Sequence, residues 1–490
     1  MVKMMRKYFF LGILITVFSP ALTSAQDKPM PIMADTFRFY WVEFTDKNDS
    51  PYSVKEPQAY LSEKAIARRK KYRIPITEND FPPNPSYLKK ISEKGGKVMH
   101  TSRWLNAVTF TIPQDSLEPL EQLSFIKGIK YVGIQIRGGA RIGRTVNMDS
   151  LRTKPVKKDY YGYGQQQIEM LQGDELHKKG YTGEGVTIAV LDGGFTGVDI
   201  SPFFEELRAD GRLLPGYDFV DLDTTVFESS SHGTRVLSCM AAKIPKLMVG
   251  TAPDATYICL KTEDVSTENP LEECHWIAGI EYADSLGADV VTSSLGYTRF
   301  DDTLLNHRLE ELNGMVALAS RASAYASKKG MLVLNSAGNE GNSSWRHIGI
   351  PADVNETLTV GATTLKGDLA TFSSVGPTAD ERIKPDIVAA GSGVSLVDAY
   401  SYRVSRGSGT SFSTPIVAGM TACLFQAFPK KTSEQLFEAI RKTASLADTP
   451  NNEMGYGIPD YNKAYEFLRK DIRGIQHQPE PATSGEEDHD

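Results

Sequence analysis

Cysteine is scarce in this chain, with four among 490 residues. So few cannot build the dense bridge framework of a small disulfide scaffold, and stability has to come from packed cores, for which an apolar fraction of 40% is ample. Cys239 and Cys423 lie in apolar helical runs, where a buried thiol packs as a small hydrophobe. A bridge between Cys259 and Cys274 stays open. Positive charge is not in excess either: 54 Lys and Arg against 61 Asp and Glu leave a net charge of -7, which removes the electrostatic ground for nucleic-acid or anionic-membrane partners. Cys274-His275 lacks a second ligand pair at zinc spacing, so no zinc site is expected there. No acidic loop has a calcium-ligand spacing, and Asp221-Leu222-Asp223 and Asp301-Asp302 read as solvated surface charge. No metal and no cofactor are expected.

Long apolar runs are missing too, with one exception. Lys3, Arg6 and Lys7 precede an apolar stretch from Tyr8 to Phe18, and small residues end it at Thr23-Ser24-Ala25, the layout of a cleaved secretory signal over residues 1–25. The stretch is too short to span a bilayer comfortably, and no cysteine near Ala25 offers itself for lipidation. Export to the periplasm or the exterior is expected, with no membrane contact after signal removal.

At this length at least two domains are expected. Residues 35–136 read as strand, helix, helix, strand, strand, helix, strand, close to a small α+β split βαβ domain. The strands are Thr36 to Phe44, Lys97 to His100, Asn106 to Ile112 and Ile129 to Ile134. A charged helix covers Leu61 to Tyr72, Ser86 caps a short one, and Asp115-Ser116-Leu117-Glu118 opens another. Residues 137–160 turn to glycine, arginine and lysine without periodicity, as an exposed linker does. Over residues 161–470, β-rich runs alternate with helical ones. Val186 to Leu191, Thr256 to Lys261, Val290 to Ser294, Met331 to Asn335 and Thr357 to Val360 read as strands buried on both faces, and Leu271 to Leu286, Val316 to Lys329 and Thr414 to Phe428 as helices. That alternation means an α/β fold, a parallel sheet covered by helices on both faces. Residues 471–490 are polar and acidic and read as a disordered tail.

Chemistry concentrates in four places. Gly409-Thr410-Ser411 precedes an apolar run opened by Pro415, which sets Ser411 at a helix start as a candidate nucleophile. Asp192 ends the run Ile188-Ala189-Val190-Leu191, His232 opens Ser231-His232-Gly233-Thr234, and Asn339 stands between Gly338 and Gly341. A serine hydroxyl needs a base to attack at neutral pH, and histidine has the suitable pKa. Asp192 would hold the imidazole tautomer, and Asn339 would donate to the developing oxyanion. The order acid, histidine, serine disfavours an α/β-hydrolase esterase, whose elbow also needs glycine where Ser413 stands.

From Gln165 to Phe467 the chain resembles the subtilisin family of serine peptidases. The resemblance rests on Val190-Leu191-Asp192, His232-Gly233-Thr234, Gly250-Thr251-Ala252-Pro253, Ser293-Ser294-Leu295-Gly296, Ser336-Ala337-Gly338-Asn339, Phe372-Ser373-Ser374-Val375-Gly376-Pro377, Lys384-Pro385-Asp386-Ile387-Val388 and Gly409-Thr410-Ser411, in that order. It implies an exported endopeptidase that acts through a Ser411 acyl-enzyme on protein or peptide substrates. It also implies an extended substrate beside Ser294, Leu295 and Gly296, and a first specificity pocket floored by Gly349 that admits large apolar or aromatic side chains, with Trp345 and Arg346 near its entrance. Structural calcium is common in such relatives.

Several positions depart from the family pattern. Gly193 replaces the usual hydroxyl residue after the aspartate, so a looser Asp192 is expected. Phe412 replaces methionine, Tyr297 stands at a frequent glycine, and Ala389-Ala390-Gly391 lacks a proline. Thr298 to Gly314 is long enough for a flap beside the cleft. The N-terminal domain resembles the inhibitory propeptides of the family, which implies a zymogen restrained by its own N-terminal domain, with a permanent binding module as the rival account. A catalytically silent, peptide-binding relative is the alternative for the whole chain.

Overall fold

The computed structural model describes residues 36–136 and 159–475. The expected signal, nearly all of the expected linker and most of the expected tail fall outside those residues.

The N-terminal domain is an antiparallel sheet of β1 (Thr36–Phe44), β2 (Lys97–Ser102), β3 (Ala107–Thr111) and β4 (Ile126–Ile136) in the order β2-β3-β1-β4. Helices α1 (Glu63–Lys71) and α2 (Pro85–Glu93) precede β2. Alternation along β1 explains why this small sheet is buried on both sides. Tyr40, Val42 and Phe44 point into the domain's own core with Ile91 of α2, whereas Phe39 and Trp41 join the core of the larger domain. Two expected helix starts differ from the structure. Asn84, not Ser86, caps α2, by accepting from the Ser86 N–H at 2.8 Å, because Pro85 fixes the first helical φ and moves the cap two residues upstream. The Asp115 signal yields a 3₁₀ turn at Gln114–Ser116 and a single helical turn at Glu118–Glu121 without a side-chain cap.

The larger domain is built on a seven-stranded parallel sheet of β5 (Thr187–Asp192), β6 (Leu213–Asp218), β7 (Thr256–Lys261), β8 (Val290–Ser293), β9 (Leu332–Ser336), β10 (Leu358–Thr364) and β11 (Ile387–Ser392), in the order β11-β10-β9-β8-β5-β7-β6. Ile188 and Val190 of β5 face a core shared with α3 (His232–Ala241) and α6 (Thr410–Ala427), while Ala189 and Leu191 face α4 (Leu271–Leu286) and α5 (Leu318–Lys328). Of the strands in this sheet, the two missing from the sequence reading, β6 and β11, are its edges. Pro215 and Gly216 interrupt β6, whose pairing with β7 shifts register between Leu214 and Tyr217, and β11 has only Ile387 and Val388 before the small residues Ala389 to Ser392, so neither presents a long β-branched run.

The Cys259 to Cys274 bridge is not formed. All four cysteines are free and buried, and Cys259 packs on the α3/α6 side of the sheet while Cys274 packs on the α4 side. The sheet itself stands between the two thiols. Among the described residues no helix is long and apolar enough to cross a membrane.

Candidate active site

The chain leaves β5 inside the sheet, with β8 paired to one side of it and β7 to the other. This is the point where strand order reverses, and crevices at the carboxyl ends of such strands receive ligands. Asp192 is the last residue of β5, Ser294 follows β8, and Asn339 lies three residues beyond β9. His232 opens α3 and Ser411 sits in the first turn of α6.

Asp192 is fully buried, and both its carboxylate oxygens lie 2.9 Å from His232 Nδ1. The carboxylate is not loose. Its Oδ1 also accepts the Gly193 N–H at 2.8 Å, so the backbone supplies a donor where a hydroxyl was expected. A Cβ at Gly193 would meet Val265 Cγ1 at 3.1 Å, leaving little room for that hydroxyl. Burial disfavours a charged imidazole, but the Asp192 charge and hydrogen bond outweigh it, and the His232 pKa is raised above 6.5. Phe412 sets its ring 5.9 Å from the imidazole and packs beside it. Gly233 is required for close approach, since a Cβ there would sit 2.5 Å from the Gly194 carbonyl oxygen.

Pro415 explains the local geometry of Ser411. It has no N–H to give to the carbonyl four residues back, which is that of Ser411 itself. Ser294 Oγ donates to this freed carbonyl at 2.8 Å, tying the end of β8 to the start of α6. In return the Ser411 hydroxyl donates to the Ser294 carbonyl at 3.4 Å. His232 Nε2 makes no hydrogen bond among the described residues, so the serine-to-histidine link is the one not formed in this structure. Ser294 was expected only as substrate backbone; the proline four residues after Ser411 was the sequence signal for its second role.

Asn339 Oδ1 accepts from the Thr410 N–H at 2.9 Å and the Thr410 hydroxyl at 3.1 Å. A backbone N–H can only donate, so this contact fixes which end of the amide is oxygen. The Nδ2 group is left on the exposed side, beside the start of α6, without a partner among the described residues. Gly409, at φ 155°, turns the chain into that helix start. Asn339→Ala is expected to lower kcat by about 10²–10³-fold with little change in KM, the size of effect typical of removing one oxyanion donor. Steady-state kinetics on a peptide anilide would check it.

The segment after β8 pairs with the expected pocket floor. Tyr297 and Ile350 form an antiparallel bridge, with Tyr297 N to Ile350 O at 2.9 Å. Gly349 lies against Gly296, a Cβ on the former being only 3.6 Å from the Gly296 Cα. Asn335 Nδ2 holds the Leu295 carbonyl at 3.0 Å. Gly296 is exposed, and its backbone N–H and C=O make no hydrogen bond among the described residues. Trp345 points inward, donating from Nε1 to the Ile348 carbonyl at 3.2 Å.

Residues 183–457 match the subtilase family, Peptidase S8, and residues 39–146 match the Peptidase S8 propeptide domain of Bacteroidota. The chain belongs to the subtilase family. It is 30% identical to subtilisin NAT of Bacillus subtilis subsp. natto over 372 residues, covering 75% of this chain and 82% of that protein. Subtilisin E of Bacillus subtilis (strain 168) is 29% identical over the same shares. A crystal structure of MycP1 with the N-terminal propeptide removed is similar over 61% of this chain and 96% of that chain, at a TM-score of 0.48 and 25% identity. Membership makes this subtilase a serine-type endopeptidase with peptide substrates and an intramolecular propeptide, and therefore a zymogen.

Thr298 to Gly314 is a tied-down loop in this subtilase rather than a free flap. His307, buried in it, bonds Glu273 of α4 through Nε2 and Glu311 through Nδ1, each at 2.8 Å, and Glu273 also accepts the Ala319 N–H. Burial lowers the His307 pKa but the two carboxylates raise it further, for a net rise above 6.5. Its stabilisation is therefore complete below the unfolded value and lost as pH climbs through the raised folded value, because neutral imidazole can donate to only one carboxylate. Melting curves from pH 6 to 9 should show roughly 1–3 kcal/mol lost on the alkaline side, and His307→Gln should lack this alkaline decline.

Tyr297 donates to Glu263 Oε1 at 2.5 Å, bridging the loops after β8 and β7 over the end of β5. Burial, with the negative charges of Glu268 and Asp192, pushes the Glu263 carboxyl up to about 8. Sequence reasoning missed this carboxyl beside the site, since a lone glutamate after a strand has no pattern. Asp221 pairs with Lys261, Asp223 and Asp302 cap turns, and Asp301 accepts the Glu268 N–H. No group of three or more metal-ligating side chains occurs among the described residues.

Proposed function

We propose that this subtilase hydrolyses peptide bonds with Ser411 as nucleophile, His232 as base and then acid, Asp192 as orienting carboxylate and Asn339 as oxyanion donor. The observation that carries the reading is the doubly accepting Asp192 beneath His232 Nδ1, set beside a helix start whose Thr410 aims the Asn339 amide. Ser411 Oγ attacks the scissile carbonyl carbon while its proton passes to His232 Nε2. The C–N bond then breaks as Nε2 returns that proton to the leaving amine. Water repeats the attack on the acyl ester and frees the enzyme. These groups need no cofactor. The hydroxyl has to turn from the Ser294 carbonyl toward Nε2, a tightening common when substrate enters. Substrate would lie extended along Ser294, Leu295 and Gly296, with a large apolar or aromatic side chain over Gly349.

Export beyond the inner membrane belongs to the same reading, supported by the charged and apolar start of the sequence. A fluorophosphonate probe tests the core of it. Mature protein should be labelled and Ser411→Ala should not; a folded wild type that stays unlabelled would leave the peptide-binding alternative. Cutting between residues 137 and 160 in wild type, but not in Ser411→Ala, is expected on N-terminal sequencing if the enzyme processes itself.

A further inference from the structure

The two domains meet along α4, and the buried contact holds two histidines with no carboxylate on either. His100 Nε2 of β2 and His275 Nδ1 of α4 lie 2.8 Å apart, their rings perpendicular at 88°. They are 7% and 1% exposed. Phe219, in the loop after β6, packs its ring 5.9 Å from His100 and offers it a backbone carbonyl. In the neutral pair one of the two facing nitrogens carries the proton and the other accepts it.

The charged groups around the pair are engaged elsewhere. Lys261, at the end of β7, repels positive charge on His275 and is bound to Asp218 and Asp221. On α4, Glu281 accepts from Ser102 Oγ, Arg103 N and Trp104 N. Asp284 takes Arg68, Arg69 and Arg103 of the N-terminal domain. Glu273 holds His307, and Glu272 lies with Glu263 and Glu268. Cys274, next in sequence, has its thiol pushed up to about 12 by burial and stays neutral.

We propose that the His100–His275 pair makes the grip between the two domains acid-labile, so that acidification separates them once the linker is cut. The consequence, release of peptidase activity, rests on the reading of the N-terminal domain as an inhibitor; the separation does not. A neutral pair carries one proton between its facing nitrogens. Two imidazolium rings would aim two N–H groups at each other across 2.8 Å and bury two like charges beside Lys261.

The direction follows from linkage. Burial holds His100 down to about 4, and burial, His100 and Lys261 together hold His275 well below its ordinary value. Exposed by separation, both return to about 6.5. The grip is therefore at full strength above that pH and weakens as pH falls below it, by up to about tenfold per pH unit for each histidine. Between pH 7.5 and 5 that amounts to ~30-fold for one histidine and roughly 1,000-fold for both. Asp284, held below the ordinary carboxylate range by its three arginines after burial is overcome, keeps its charge across this interval and contributes no such loss, whereas burial raises the Glu281 carboxyl, whose protonation works against the histidines.

The test uses full-length Ser411→Ala, nicked in its arginine- and lysine-rich linker with trypsin and checked by mass spectrometry. Dissociation of the N-terminal fragment is then followed from pH 8 to 5, with circular dichroism confirming that the catalytic domain stays folded. Retention at pH 7.5 and a dissociation constant about 1,000-fold larger at pH 5 are expected, with most of that steepness gone in His100→Gln/His275→Gln. A pH-independent grip, or undiminished steepness in the double variant, overturns the proposal. Should that variant not fold, calorimetry of the nicked parent in two buffers of different ionisation heat counts protons taken up on separation near pH 5.5. About two are expected, and none overturns it. Because Ser411→Ala is used throughout, failure of the nucleophile assignment would appear separately, in probe labelling of wild type.

Discussion

Ser411→Ala is expected to lower kcat by about 10⁶-fold, and His232→Ala by nearly as much, while the double variant is hardly worse than either alone. The magnitude is that of subtilisin, of the same family. The non-additivity is the informative part. A nucleophile without its base, or a base without its nucleophile, performs the same residual reaction, supported by the oxyanion donor and substrate binding. Independent roles would instead multiply, and a double variant a further 10³-fold or more below the singles would argue that the two side chains do not act as one unit. Ser294 enters here as well, because its hydroxyl holds the Ser411 carbonyl that Pro415 leaves without a helical donor. Kinetics on one peptide anilide, with the N-terminal domain removed from every variant, would measure all three proteins on one scale.

The parts of this structure that were legible in the sequence are those in which one residue type has one physical use. The helix Leu271–Leu286 and the strand Thr256–Lys261 were read to the residue, since one is a long helical stretch stopped by Gly287 and the other a β-rich run bounded by Pro253 and Asp264. The strands β6 and β11 escaped because Pro215 and Gly216 break the apolar run of the first and Ala389, Ala390 and Gly391 dilute that of the second. The positions of Asp192, His232, Ser411 and Asn339 at strand and helix ends followed from glycine, proline and apolar punctuation around them. What the sequence withheld is orientation. That Gly193 supports Asp192 through its N–H, that Thr410 aims the Asn339 amide, and that the Ser411 hydroxyl turns to Ser294 are facts of backbone direction, which no residue pattern encodes. The domain contact was hidden for a related reason. His100 and His275 are 175 residues apart, and each alone reads as an ordinary buried histidine.

Asp192→Asn tests the part of the site whose geometry is best defined, and a loss of about 10⁴ in kcat is expected. The amide can keep the shape while presenting an N–H to Nδ1, which turns the imidazole to the tautomer that cannot take the Ser411 proton. The pH profile should move as well. In wild type the Asp192 charge raises the His232 pKa above 6.5 against the burial that lowers it, so activity needing neutral imidazole should rise with a midpoint above that value. Without the charge only burial and the Arg235 repulsion remain, and the midpoint should move to lower pH even as the plateau collapses. A purely structural role for Asp192 would lower activity evenly and leave the midpoint in place. Profiles of kcat/KM from pH 5 to 9 on both proteins distinguish these outcomes, and an unmoved midpoint with a drop below tenfold would remove Asp192 from the mechanism.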